Sequence, residues 1–87
     1  MIKQTVKIVN PTGLHLQPAS VLCKAAVEFE SHITFTIDDT TANAKSVLSV
    51  LGACVKEGDE IELSIDGPDE ETAMEKLTAL IAGGLEE

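Results

Sequence analysis

Residues 13 to 20 read GLHLQPAS and place one of the chain's two histidines directly before a predicted helix. Because Pro18 has no N–H to donate, it fits a helix only in the first turn, so we expect the helix to begin just after His15. A side chain there faces unpaired backbone N–H groups and the positive end of the helix dipole, which together bind anions. The N–H groups of Leu16 and Gln17 are therefore the candidate hydrogen-bond donors to a phosphate at this position.

The same position would make His15 a nucleophile. The positive helix end disfavours imidazolium, so we expect a neutral ring with one nitrogen free to attack phosphorus. A lone histidine near a helix start is more often a solvated or capping side chain, and spacing alone favours that alternative. His32, beside Ser31 at the start of a predicted strand, has no comparable context and is interpreted as structural.

Composition narrows the classes of function. The 87 residues form one expected domain, 1–87, with fifteen acidic side chains, six lysines, no arginine and a net charge of -9. Nucleic acid and anionic membranes are poor partners for such a chain, because both require clustered cations. The longest apolar run, at 47–55, is too short to cross a bilayer. The first residues do not resemble a secretory signal, so we expect a cytoplasmic protein.

Two cysteines are present, Cys23 and Cys54, and they do not form a C-x-x-C pair. We expect both to be small buried apolar residues rather than zinc ligands or a disulfide. No metal site and no cofactor are therefore predicted.

The elements that must position His15 alternate between strands and helices. Apolar residues at every second position predict strands at 4–9, 32–37 and 60–65, with a weaker strand at 40–44. Helical spacing predicts a helix from Leu16 to about Phe29, a short one capped by Ser46, and a third capped by Asp69. The order is βαββαβα. Because each strand is apolar on one face, we predict an α+β open-faced β-sandwich: a four-stranded antiparallel sheet with three helices on one face.

Two segments carry a resemblance to a known family. GLHLQPAS resembles the GLHARPA signature of the histidine-containing phosphocarrier family, HPr, of the phosphoenolpyruvate-dependent sugar phosphotransferase system. NAKSVLSVL at 43–51 resembles its second signature, around a regulatory serine, and the similarity continues through DGPDEETAMEKL at 66–77. Two signatures about thirty residues apart, in the right order, favour a functional His15 over an ordinary one.

The resemblance implies a carrier rather than a turnover enzyme. His15 would accept a phosphoryl group on a ring nitrogen from phosphorylated enzyme I and pass it to sugar-specific enzyme II (EIIA) components. The family also implies a monomer and a partner-facing patch, here Lys24, Lys45, Val47 and Leu48. Val47 and Leu48 could instead belong to the core, and both alternatives stay open.

Ser46 matches the serine that an ATP-dependent HPr kinase/phosphorylase modifies in some bacteria. A plain helix cap is the alternative role for this side chain. An HPr-like regulatory interaction module, controlled by phosphorylation at Ser46, is accordingly the second function that the sequence allows.

Gln17 stands where the family has arginine. Charged hydrogen bonds contribute about 1.5–3 kcal/mol and neutral ones about 0.5–1.5, so the replacement costs about 1–2 kcal/mol. That difference corresponds to roughly a tenfold change in rate. We therefore expect transfer with a standard enzyme I to be weakened but retained.

Overall fold

The computed structural model describes residues 1–85 and contains the seven predicted elements in the predicted order. The strands are β1 (Ile2–Lys7), β2 (His32–Ile37), β3 (Thr40–Asn43) and β4 (Glu60–Asp66), and the helices are α1 (Leu16–Ala26), α2 (Val47–Gly52) and α3 (Glu70–Ala82). The sheet order is β1-β4-β2-β3, with every neighbouring pair antiparallel. The predicted open-faced α+β fold is confirmed. The expected domain 1–87 extends to Glu86 and Glu87, which lie outside the described residues.

The core lies between the sheet and the three helices. Alternate residues of the two central strands point into it, and Phe35 of β2 stands opposite Leu63 of β4, both fully buried. Leu22 of α1 and Leu77 of α3 close it from the helical side. Burying one such side chain stabilises the fold by about 1.5–3 kcal/mol relative to leaving it exposed. Aliphatic residues thus fill an interior that has almost no aromatics.

β1 begins and ends two residues earlier than predicted. Its pairing with β4 extends back to Ile2, which stands opposite Ile65. At the other end Ile8 leaves the ladder, because its N–H donates to the carbonyl of Asp59 at 2.9 Å and its carbonyl accepts from Gly58 at 2.8 Å. The partner strand and the following turn therefore set these limits, which alternation within β1 cannot reveal.

α1 ends at Ala26 rather than near Phe29. The N–H groups of Glu28 and Phe29 donate to Ala25 and Ala26, three residues back, at 3.3 and 3.2 Å. This tighter winding ends the α-helix, yet Phe29 still packs against the core. The apolar spacing continued past the helix end, which is why the sequence predicted a longer helix.

Asp69 occupies the predicted N-cap position of α3, but its side chain makes no capping bond. Its carboxylate accepts hydrogen bonds from the N–H of Glu30 at 2.9 Å, the N–H of Ser31 at 3.0 Å and the Ser31 hydroxyl at 2.5 Å. The Ser31 hydroxyl, and then the Glu30 N–H, lower the pKa of Asp69 below its ordinary value. The predicted cap is wrong, because Asp69 instead joins the start of α3 to the segment before β2.

The prediction for the cysteines is right for Cys23 and wrong for Cys54. Cys23 is buried on α1, whereas Cys54 is exposed, and both thiols are free. Cys54 lies in the turn after α2 with φ of 55°, a left-handed backbone conformation. Burial is expected of a free cysteine, which usually packs as a small apolar residue, but this turn brings the Cys54 side chain to the surface.

Candidate functional site

The turn before α1 is held from two sides. The Asn10 carbonyl accepts from the Gly13 N–H at 3.0 Å, and the buried Asn10 side-chain amide donates back to the Gly13 carbonyl. The next residue, Leu14, is buried and donates its N–H to the carbonyl of Val55 at 3.0 Å. The chain is therefore fixed both locally and to a distant loop immediately before His15.

His15 is the N-cap residue of α1, as predicted. Its backbone is extended, with φ of -78° and ψ of -175°, and its side chain makes no capping hydrogen bond. The carbonyl of His15 accepts from the Ala19 N–H at 2.8 Å and so begins the helical ladder. The ring itself is exposed. Within residues 1–85, the His15 ring thus has no hydrogen-bond partner and lies at the positive end of an eleven-residue helix.

Leu16 and Gln17 form the first turn of α1, and both side chains are exposed. Among residues 1–85, neither backbone N–H has a hydrogen-bond acceptor, as expected for the first turn of a helix. The Gln17 side-chain amide likewise has no partner in the same range. Backbone and side-chain donors are therefore available beside His15.

A shallow depression of about 400 Å³ lies next to His15. It lies between the start of α1 and the end of α2 with its following loop, and its lining is largely apolar. The residues that line it are Leu14, His15, Leu16, Leu51, Cys54, Val55 and Lys56. Sequence reasoning missed the loop residues 54–56, because contacts between separate segments, such as the backbone bond between Leu14 and Val55, bring them to His15.

Ser46 is the N-cap of α2, as the sequence predicts. Its hydroxyl accepts from the Ser49 N–H at 3.3 Å, and its side chain is half-buried. The Ser49 hydroxyl in turn accepts from the Asn43 N–H at 2.9 Å, and the Asn43 amide oxygen accepts from the Lys45 N–H at 2.9 Å. The capping role of Ser46 is therefore present in the structure, and its modification stays a prediction.

The two lysines of the predicted partner-facing patch have different surroundings. The Lys45 ammonium donates to the Phe29 carbonyl at 2.7 Å, just beyond the end of α1. Lys24 is exposed in the last turn of α1, nine residues after His15. That spacing corresponds to about 13 Å along the helix axis. Neither lysine lines the depression beside His15.

The two apolar residues of the patch also differ. Leu48 is 83% exposed, whereas Val47 is half-buried and packs against the core. Of the two alternatives, surface or core, Leu48 therefore belongs to the surface. Val47 contributes both to the surface and to the interior. Single exposed apolar side chains are normal on protein surfaces, so a partner contact by Leu48 stays a prediction.

A family model described as the PTS HPr component phosphorylation site matches residues 2–83. The chain belongs to the HPr family. It is 36% identical over 87 residues to the phosphocarrier protein HPr of Treponema pallidum, covering 100% of this chain and 99% of that one. Its function is accordingly that of an HPr phosphocarrier in the phosphotransferase system.

Two solved structures of the HPr family illustrate the range of assemblies. HPr from Thermoanaerobacter tengcongensis superposes with a TM-score of 0.95 at 38% identity, covering 100% of this chain and 99% of that one. Crh, a catabolite repression protein of Bacillus subtilis described as a dimer with a swapping domain, gives a TM-score of 0.78 at 32% identity over all of both chains. The family fold therefore occurs in dimers, and the expected monomer is not confirmed.

The described part of the chain contains neither a metal-binding group nor a membrane-spanning helix. Among residues 1–85, no three or more His, Cys, Asp or Glu side chains are grouped so that they could hold a metal ion. In the same part of the chain, every helix falls short of the length and apolar content needed to span a bilayer.

Proposed function

We propose that His15 is the residue that carries the phosphoryl group. The observation behind this proposal is the exposed ring at the start of α1, beside the N–H groups of Leu16 and Gln17 that lack acceptors among residues 1–85. A phosphoryl group on the ring would lie at the positive helix end, where anions are stabilised. Leu16, Gln17 and His15 thus combine a nucleophile with donors for the transferred group.

The transfer step requires only the ring and the phosphoryl group. The lone pair of a neutral ring nitrogen attacks phosphorus and forms an N–P bond, while the bond to the donor atom breaks and leaves its electron pair on the donor. Onward transfer reverses these roles: an acceptor nucleophile attacks, and the N–P electron pair returns to His15. Gln17 supplies a neutral amide donor at the position where the family has a charged one.

The expected donor is phosphorylated enzyme I, and the expected acceptors are EIIA components. Lys24, Lys45, Val47 and Leu48 form the proposed contact patch for both, with the depression beside His15 as an additional apolar contact. Leu48 is 83% exposed and should provide most of the apolar contact. Because His15, Leu16 and Gln17 lie on one chain, a monomer is sufficient for transfer. The cytoplasmic location stays a prediction.

The alternative function is a regulatory interaction module that acts through phosphorylated Ser46. The similarity to Crh and the position of Ser46 at the start of α2 support it. An HPr kinase/phosphorylase would be the modifying partner. The added charge would change the surface next to Leu48 and so the choice of binding partner.

One labelling experiment separates the two functions. The protein is incubated either with phosphoenolpyruvate and the same organism's enzyme I, or with ATP and its HPr kinase, and the label is tested in acid. The first reaction should give an acid-labile label that disappears in His15→Ala and persists in His32→Ala, the matched variant of the other exposed histidine. If only the reaction with ATP and the kinase gave a label, and that label were acid-stable and lost in Ser46→Ala, the result would support the regulatory module. No label from phosphoenolpyruvate would end the carrier proposal.

A further inference from the structure

Positive charge is scarce in this protein, which has six lysines and no arginine. Lys76 pairs with Glu28 at 3.2 Å, and the Lys45 ammonium is bound to a backbone carbonyl. Lys3 and Lys7 are exposed on β1, in register with Ser64 and Glu60 of β4. Their positions alternate with the core-facing residues of that strand, so they lie on the sheet face opposite the helices.

Lys56 differs from these lysines in its location. It lines the depression that also contains His15, and it is exposed. Among residues 1–85 its ammonium makes no hydrogen bond or ion pair, although its backbone N–H donates to Asp59 Oδ2 at 2.9 Å. The backbone is therefore held while the charged end is uncommitted.

The proximity of Lys56 to His15 follows from close backbone packing. The bond from the Leu14 N–H to the Val55 carbonyl joins the two segments at 3.0 Å. At the neighbouring position a Cβ on Gly13 would lie 2.7 Å from the Lys56 Cα, so the backbones of the two segments are in direct contact there. A long, flexible lysine side chain anchored at that point can reach a group attached to the His15 ring.

We propose that Lys56 binds the phosphoryl group on His15 and supplies the positive charge that Gln17 does not. This inference rests on the proposed role of His15 as the carrier. A lysine ammonium is a point charge that needs no planar, two-pronged geometry, so it can act from across the depression. When a partner protein covers the apolar lining, water leaves and the attraction between ammonium and phosphate becomes stronger. Lys56 is thus a phosphate-binding residue of the transfer site.

The test uses the phosphorylated protein as it exists. Lys56→Gln and Lys56→Met remove the charge, Lys56→Arg keeps it, and Lys7→Gln removes the same charge from the opposite face. Each variant is labelled from phosphoenolpyruvate, followed by ³¹P NMR titration of the isolated phosphoprotein and by the transfer rate. Thermal unfolding by circular dichroism verifies that each variant is folded.

Lys56→Gln and Lys56→Met should both move the phosphate titration to higher pH and lower the transfer rate about threefold to tenfold. Lys56→Arg should retain the titration and most of the rate, and Lys7→Gln should match the unmodified protein. A normal titration with slow transfer would mean that Lys56 contacts the partner protein instead, which overturns the proposal. Equal behaviour of Lys56→Gln and Lys7→Gln also overturns it. Failure of the underlying carrier role is recognised separately, because the unmodified protein would then carry no acid-labile label on His15.

Discussion

The backbone N–H of Leu14 lies 3.0 Å from the carbonyl oxygen of Val55, and this bond joins the turn before α1 to the loop after α2. The two residues are about forty positions apart in the sequence. Through this contact, His15 and Lys56 line one depression. The candidate site therefore depends on a long-range backbone contact as well as on a local helix start.

Gly13→Ala should destabilise the protein by about 3 kcal/mol, because a left-handed non-glycine residue and a backbone clash add together. Gly13 has φ of 64°, and a Cβ there would clash with the Val55 carbonyl and the Lys56 Cα. Gly58→Ala is the matched control: its φ is 89°, but the space around it is open, so a loss of about 1 kcal/mol is expected. Urea unfolding measures both. Equal losses would show that the close approach to Val55 and Lys56 is not important.

The Asp69 carboxylate should make stability depend on pH in the acidic range. Its pKa is lowered in the folded protein, chiefly by the Ser31 hydroxyl, so its contribution is present above its unfolded pKa, about 3.9. That contribution is lost as pH falls through this value towards the lowered folded pKa. Asp69→Asn should therefore reduce the free energy of unfolding at pH 7 and flatten its decline as the pH falls through the unfolded pKa of aspartate.

Glu71→Gln is the matched control for this change. Glu71 also lies in the first turn of α3, but its side chain is exposed. Glu71→Gln removes the same charge as Asp69→Asn. Urea unfolding at several pH values should show the full acid dependence in Glu71→Gln. If Asp69→Asn retained that dependence unchanged, the link from Asp69 to Ser31 would not contribute.

Gln17→Arg should raise the rate of phosphoryl transfer from a standard enzyme I by about tenfold, because a charged donor replaces a neutral one. The gain in rate from Gln17→Arg should be larger in a Lys56→Gln background than in the original protein. There Lys56 already contacts the same phosphate, so the two effects are not additive. Gln4→Arg introduces the same charge at an exposed position on β1 and serves as the control. A faster rate in both variants would indicate general electrostatic attraction instead of a local contact.

Leu48→Ala should leave the free energy of unfolding within about 0.5 kcal/mol of the original, because the side chain is exposed. It should nevertheless raise the KM for transfer if Leu48 contacts enzyme I. As a comparison for stability, Leu22→Ala at a fully buried position should lower the free energy of unfolding by about 2–5 kcal/mol. Val9→Ala trims another exposed aliphatic residue, far from the patch in sequence, and should leave KM unchanged. An unchanged KM in Leu48→Ala would remove this residue from the proposed patch.

Much of the fold could be predicted because alternation and helical spacing report which face of each element is buried. β2 has the predicted limits, 32–37, because its apolar residues alternate over its full length. β1 was misplaced by two residues, because its ends depend on pairing with β4 and on the bonds of Ile8. The local sequence pattern indicates that a strand or helix exists, whereas the residues at which it begins and ends depend on the segments that pair with it.

The site was predictable to a similar extent. The helix start after His15 followed from Pro18, and the capping position of Ser46 followed from local chemistry. Asp69 could not be assigned correctly, since the same carboxylate can bond its own helix or a distant loop. Lys56 gave no signal at all in the sequence, because its relation to His15 arises from contact between separate segments.

The two thiols differ in their access to reagents. Cys23 is buried, and burial raises its pKa, which disfavours the reactive thiolate, whereas Cys54 is exposed at the edge of the depression. A maleimide dye at neutral pH should therefore form one adduct, at Cys54, as peptide mass spectrometry would verify. The unaltered chain can then carry a fluorophore within the same depression as His15, so its emission would report in real time when another protein covers that surface.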